Sequence, residues 1–245
     1  MRPINKILDI VIPVYNEGII IKNTIISLNK NVKSKHNILI CYDDDSDTTL
    51  LTIKKDFFNQ ENIFLIKNQG AGVHSAVLTG ITNSLSDYIL IMPADDDYNH
   101  SIIDKMIYDA NKFGADIICP SRFSKNSRIV NGPFFKFIIV KIVNFSLYYF
   151  AKVPSKDSTN GFRLFSKKVI SSIKLKSSNG FTYSIEYLLK AYEKKMIIRD
   201  FPADWYERKV GKSRFQIFGW CKDYLEWYFY AWKIFFKNIF DLNKQ

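Results

Sequence analysis

Short runs rich in β-branched residues alternate with helix-length segments through the first half of this chain, and that alternation leaves few folds open. The runs are Leu8–Val14, Asn37–Cys41, Ile63–Ile66, Tyr88–Met92 and Asp116–Cys119; between them lie Glu17–Asn29, Asp47–Phe58, Val73–Ser84 and Ile102–Phe113. Strand and helix in regular succession predict a mostly parallel α/β sheet flanked by helices. Strands covered on both faces read as continuous apolar runs, as Tyr88–Met92 (YILIM) does. Each expected strand also runs into polar residues: Pro13-Val14-Tyr15-Asn16-Glu17, Asp43-Asp44-Asp45-Ser46, Gln69-Gly70-Ala71-Gly72 and Asp95-Asp96-Asp97. Ligands of open parallel sheets sit outside the carboxyl ends of the strands, so these clusters are expected to form one site rather than separate solvated loops.

The residue types narrow the chemistry. Asp95 and Asp97, with Asp96 between them directed elsewhere, form an Asp-x-Asp pair suited to a hard divalent cation, Mg²⁺ or Mn²⁺, that also takes substrate phosphates. Helix capping by Asp97 or Asn99 accounts for one of these residues and not for three. Asp43 and Asp44 sit where a carboxylate commonly bonds a ribose hydroxyl or a base N–H. Asp47, followed by Thr48 and Thr49, reads as a helix start. Gly70-Ala71-Gly72-Val73-His74-Ser75 lacks the third glycine of a dinucleotide loop; a tight turn is its first reading and backbone contact with a phosphate its second.

Beyond Pro120 the pattern changes. A basic loop (Arg122 to Arg128) precedes a long aromatic helix, Phe134 to about Val153; then come Asp157-Ser158-Thr159-Asn160-Gly161-Phe162-Arg163, a helix over Tyr183–Lys194 and a strand near Met196–Pro202. Arg208-Lys209-Val210-Gly211-Lys212-Ser213-Arg214 reads as either a phosphate cradle or a solvated charged loop. Over all 245 residues, 35 Lys and Arg face 24 acidic residues, a formal charge of +11, and 16% of residues are aromatic. A basic, aromatic-rich chain points to anionic partners: nucleic acid, nucleotides or phospholipid headgroups. The cysteines Cys41, Cys119 and Cys221 are isolated, which argues against a disulfide scaffold.

On a helical wheel, Lys222 to Asn238 confines Lys222, Asp223, Glu226, Lys233 and Lys237 to one sector and is aromatic over most of the remainder. Such a helix packs deeply under the fold or lies among lipid headgroups, and the second is expected here. No secretory leader and no bilayer span are expected, because lysines interrupt both apolar stretches. The expected location is cytoplasmic, peripheral on the cytoplasmic face of a membrane. The expected organisation is one α/β domain over 1–215, in two halves (1–120 and 121–215), with an amphipathic C-terminal helix over 216–245.

Taken in order, IVIPVYNE (Ile10–Glu17), DDDSDTT (Asp43–Thr49), GAGVHSAVLTGI (Gly70–Ile81), PADDD (Pro93–Asp97), SRF (Ser121–Phe123), STNGFRLFSK (Ser158–Lys167) and RKVGKSR (Arg208–Arg214) resemble glycosyltransferase family 2. Within it, the resemblance is to the dolichyl/undecaprenyl-phosphate sugar transferases, the group of the dolichol-phosphate mannose synthases. It implies a GT-A fold and inverting transfer from a nucleotide-diphosphate sugar, in which Pro13, Tyr15, Glu17, Asp43 or Asp44, Gly72 and Asp95 hold the donor. Asp95 and Asp97 would hold the metal. Arg122, Arg163, Arg208, Lys212, Ser213 and Arg214 would face the acceptor and phosphates, with Asp95, Asp157, Arg122 and Arg208 carrying the chemistry. The chain departs from the family pattern at Pro93, where an aspartate is usual, and is one residue short between Ser46 and Asp47.

The acceptor decides whether a base is needed. A lipid monophosphate is largely ionised at neutral pH, whereas a sugar hydroxyl requires a general base. The second half is rich in Arg and Lys, with Asp157 and Glu186 its most suggestively placed carboxylates, so a polyprenyl-phosphate acceptor is expected and nucleic acid is not. The alternatives are a same-fold transferase acting on a saccharide hydroxyl, a nucleotidyltransferase, and a non-catalytic nucleotide- or lipid-binding module.

Overall fold

The computed structural model describes residues 7–130, 134–206 and 217–242. Strands β1 (Leu8–Pro13), β2 (His36–Tyr42), β3 (Ile63–Lys67), β4 (Tyr88–Ile91) and β5 (Ile117–Ser121) alternate with helices α1 (Gly18–Asn31), α2 (Thr48–Asp56), α3 (Gly72–Thr82) and α4 (Ile103–Phe113). A two-residue strand β6 (Ile129–Val130) and helix α5 (Phe134–Tyr149) follow. Then come β7 (Arg163–Ser166), α6 (Lys167–Ser172), α7 (Thr182–Glu193), β8 (Ile198–Pro202), β9 (Trp205–Tyr206) and α8 (Ile217–Leu242).

One sheet has the order β3-β2-β1-β4-β7-β5-β8, and β6 pairs with β9 beside it. All pairings in the large sheet are parallel except those of β7, which runs antiparallel to both β4 and β5. The sequence reading treats 157–163 as a motif-bearing loop and misses this strand. RLFS is too short to announce itself as a strand, and only its insertion between two apolar strands buries it. Its direction matters for the site: Arg163, at its start, pairs with Ile91 at the end of β4. The segment leading into β7 therefore reaches the rim at which the parallel strands finish.

Both faces of the sheet are covered, which is why the central strands read as unbroken apolar runs. Leu8, Ile10 and Ile12 of β1 join a core with Ile21, Ile25 and Ile103. Val11 points the other way, into a second core with Val77, Tyr183, Leu188 and Trp227. Gly80 allows α3 to lie directly on the sheet: a Cβ there would stand 2.3 Å from Val11 Cγ1 and 2.8 Å from Cys41 Sγ.

Helix α8 belongs to that second core. Trp227, Ala231 and Ile234 are buried, at i, i+4 and i+7 along one stripe. Its start packs on Gly180, which has a φ of +56° and lies against the Trp220 ring; a Cβ at that glycine would stand 2.5 Å from Trp220 Cδ2, so there is no room for a side chain. Tyr230 donates to Glu193, and Lys237 pairs with the same carboxylate at 3.1 Å. Part of the polar sector seen on the wheel thus faces the protein. The opposite stripe, Leu225, Phe229, Phe236 and Phe240, is exposed. Helix α5 has the same double character: Asn144 and Leu147 are buried, while Ile138, Ile142, Phe145 and Tyr149 are exposed. Ser146 of α5 and Tyr228 of α8 hydrogen-bond at 3.1 Å. Among the described residues no helix is long and apolar enough to cross a membrane.

Candidate active site

The turn after β1 is held by the start of α2. Asn16, in the left-handed region at φ 56°, donates its N–H to Asp47 Oδ1 (3.0 Å) and accepts from the Thr48 N–H (3.0 Å). Asp47 also caps α2 through the Thr49 N–H at 2.8 Å, the role its sequence context indicates. This clamp leaves Tyr15 projecting, 54% exposed, with Pro13 and Glu17 half-buried beside it.

Asp43, at the end of β2, is half-buried and accepts from Asn68 Nδ2 at 2.6 Å and the Gly72 N–H at 2.8 Å. It thereby joins the second strand end to the glycine turn that opens α3. Asn68 is the hub of this corner: its Oδ1 accepts from Gly70 N–H, Ser75 Oγ and Thr79 Oγ1. Sequence reasoning passes over Asn68; its position two residues before Gly70 of the Gly-x-Gly turn is the available signal. Asp44 is exposed, and hydrogen bonds from the Ser46 hydroxyl and N–H hold its carboxyl below the usual range. Asp45 pairs with Lys67.

The three aspartates after β4 part company. Asp96 is buried and turned inward, accepting from the Asn99 N–H at 3.1 Å and Asn99 Nδ2 at 2.8 Å; burial pushes its pKa up to about 7. Neither Asp97 nor Asn99 caps a helix with its side chain: Asn99 stands at the start of the short 3₁₀ turn His100–Ile102, and that start and the start of α4 have no side-chain cap bond. Asp95 is half-buried at the rim and Asp97 is exposed. The turn is fixed from α1, where Thr24 Oγ1 donates to the Ala94 carbonyl (2.5 Å) and Ser27 Oγ to the Asp97 carbonyl (3.0 Å). Asn99 also exchanges hydrogen bonds with Asp204 on the far side of the rim: Asn99 Nδ2 donates to the Asp204 carbonyl at 3.0 Å, and the Asp204 N–H donates to Asn99 Oδ1 at 3.1 Å. Among the described residues no three His, Cys, Asp or Glu side chains converge on one point. Two carboxylates are nonetheless the protein share that Mg²⁺ or Mn²⁺ takes when substrate phosphates and water complete its shell, so the donor set fits such an ion.

Arg122 follows β5 and is gripped by Asp157. Its Nε and Nη2 donate to the two carboxylate oxygens at 2.7 and 2.9 Å, and its N–H adds a third bond at 3.1 Å. Asp157 is wholly buried, whereas the Arg122 side chain keeps 21% exposure. The guanidinium is presented at the rim with Nη1 directed away from its partner carboxylate. Tyr98, whose ring meets that of Tyr206 at 4.7 Å, lies within electrostatic reach of Asp95, Asp96 and Arg122. Asp95, Asp96 and Arg122 therefore share one neighbourhood.

Two expectations need correction. Arg163 does not face an acceptor: it is fully buried at the start of the central strand β7, donating to the Ser184 carbonyl at 3.2 Å and the Asp157 carbonyl at 2.9 Å. Its place inside the sheet makes it a support for the Asp157 loop. Glu186 is likewise buried, accepting from the N–H groups of Lys176 and Ser177 at 2.6 and 2.8 Å and pairing with Lys190 at 2.6 Å. Arg208, Lys212, Ser213 and Arg214 lie outside the described residues.

The comparisons with known proteins meet this geometry. The profile described as Glycosyl transferase family 2 matches residues 9–174. The chain belongs to that family. Among curated relatives, the dolichol-phosphate mannosyltransferase of Pyrococcus furiosus is 26% identical over 208 residues, 84% of this chain. This chain spans 58% of the length of that relative. The polyprenol monophosphomannose synthase of Mycolicibacterium smegmatis is 22% identical over 219 residues, 87% of this chain and 82% of that protein. Among solved structures, glucosyl-3-phosphoglycerate synthase from Mycobacterium tuberculosis, in complex with Mn²⁺, UDP and glucosyl-3-phosphoglycerate, superimposes with a TM-score of 0.63 at 12% identity. That match covers 85% of this chain and 73% of that one. The two share the GT-A fold.

Proposed function

We propose that this family 2 protein transfers a sugar from a nucleotide-diphosphate sugar to a polyprenyl monophosphate at a membrane surface, with inversion at the anomeric carbon. The observation that carries the acceptor class is the state of the carboxylates in the second half. Asp157 is spent on Arg122, and Glu186 on backbone N–H groups and Lys190. Neither is placed to take a proton from a hydroxyl. A phosphate acceptor arrives ionised and needs a cation to hold it rather than a base. Arg122 supplies one, and the names of the two curated relatives point the same way.

In this reading Tyr15, Glu17, Asp43 and Asp44 border the nucleoside, Gly72 lines the turn beside it, and Asp95 and Asp97 would hold Mg²⁺ or Mn²⁺. When bound, such a cation would supply charge neutralisation for the departing diphosphate. Arg122 orients the acceptor phosphate so that one of its oxygens attacks the anomeric carbon as the bond from that carbon to the diphosphate oxygen breaks. A single displacement inverts the centre and releases the nucleoside diphosphate. The exposed apolar stripes of α5 and α8, flanked by Lys141, Lys152, Lys222 and Lys233, suit peripheral contact with an anionic lipid surface.

Incubating the full chain with labelled GDP-, UDP- and dTDP-sugars, Mn²⁺ and polyprenyl phosphate tests this. Label extracted into organic solvent as an acid-labile lipid phosphate is expected. Label appearing only on an oligosaccharide, or release of pyrophosphate, overturns it.

A further inference from the structure

Asn144 is buried in the middle of α5, on the face opposite the exposed Ile138, Ile142, Phe145 and Tyr149. Its amide does more than satisfy itself. Nδ2 donates to the Val140 carbonyl at 2.9 Å and to Thr159 Oγ1 at 3.1 Å, while Oδ1 accepts the Ser158 N–H at 2.6 Å. These residues directly follow Asp157, the carboxylate that grips Arg122. The same loop is anchored at Lys156, whose N–H meets Asp200 at 2.7 Å, and at Asn160, whose Nδ2 meets the Pro120 carbonyl at 2.9 Å. Asp200 and Pro120 belong to the sheet; Asn144 brings α5 into the set.

We propose that Asn144 is a positioning residue: it fixes the Ser158–Thr159 backbone, hence the Asp157 carboxylate, hence the Arg122 guanidinium, and so ties the lipid-facing helix to the acceptor-binding cation. The acceptor-phosphate role of Arg122 rests on the function proposed above; the mechanical link from Asn144 to Arg122 does not. The link has a physical basis. Removing the amide leaves the buried Ser158 N–H without its partner, and the loop must shift or open to satisfy it. Arg122 cannot keep three bonds to a carboxylate whose backbone has moved.

The test compares the wild-type chain with Asn144→Ala and Asn144→Asp. Aspartate keeps an acceptor for the Ser158 N–H and can accept from the Thr159 hydroxyl but loses the donor to the Val140 carbonyl, so it should restore part of what alanine loses. With polyprenyl phosphate as acceptor, Asn144→Ala should raise the acceptor KM about tenfold, roughly one charged hydrogen bond's worth, with the donor KM changed less than twofold. A merely structural role lowers kcat with the folded fraction and leaves both KM values alone, and that pattern overturns the proposal. A second readout needs no activity. Modification by phenylglyoxal, mapped by peptide mass spectrometry, should reach Arg122 several-fold faster in Asn144→Ala than in wild type, with Arg199 on β8 unchanged. Equal Arg122 reactivity in the two proteins sinks the link. Faster Arg122 modification in a chain whose wild type transfers no sugar to polyprenyl phosphate sinks the proposed function and leaves the link standing.

Discussion

The two halves of the rim are built by different means. In the first, parallel strands separated by helical crossovers end in carboxylates, and each local segment places its own residue: Asp43 after β2, Asp95 and Asp97 after β4. In the second, an antiparallel strand enters the sheet between β4 and β5, and the functional side chain is a cation held by a carboxylate distant in sequence, Arg122 by Asp157. Chain direction brings the first set to the rim, where neutral hydrogen bonds from Asn68, Thr24 and Ser27 hold its turns, and a buried ion pair places the second. The first half should therefore tolerate isosteric changes in fold while losing chemistry. The second should lose stability and chemistry together.

The largest effect is expected where chemistry alone is at stake. Asp95→Asn, at a half-buried rim position, should lower kcat about 10²–10³-fold, the usual cost of removing one charge-stabilising group. Its circular dichroism and melting temperature should stay close to wild type. A chelator should abolish turnover of the wild-type chain, and Mn²⁺ should restore it. Turnover unaffected by chelation would break the contrast on its first side.

Asp157→Ala should act on both counts. It strands a guanidinium that is mostly enclosed, and breaking a buried pair costs about 3 kcal/mol. Denaturant melts should show that loss, and acceptor KM should rise with it. Intact stability in Asp157→Ala would mean that Arg122 finds other partners at the rim.

A pH effect sharpens the comparison from the first half. His100, buried behind the aspartate turn, has its pKa pushed down to about 4 by burial. The folded state holds it neutral while the unfolded chain takes up a proton below about 6.5, so stability should fall as pH drops from about 6.5 to about 4. The full loss is on the order of 3 kcal/mol. Asp96, raised to about 7, acts in the opposite sense, favouring the folded state as pH falls. The difference between His100→Leu and wild type across acid-range melts isolates the histidine. A flat difference curve refutes its buried neutral state.

The smallest stability effect belongs to the exposed stripe. Phe229→Glu, at a position 65% exposed, should change stability by less than about 0.5 kcal/mol. It should nonetheless weaken cosedimentation with anionic vesicles. Unchanged vesicle binding in Phe229→Glu combined with Phe145→Glu would remove the membrane from the proposed function.

The sequence by itself determined the alternating layers, the helix start at Asp47 and the strand-end positions of Asp43, Asp95 and Asp97, because apolar periodicity and turn chemistry act over a few residues. Only the tertiary structure decided that RLFS is a central strand, that Arg163 is a buried support, and that Asp157 is spent on Arg122. It also decided that α8 buries Trp227 while exposing Phe229. Those outcomes depend on which distant groups a buried polar atom or an apolar stripe meets. A charged residue with no partner in sight carries the same local signal whether it ends up at a rim or inside a sheet.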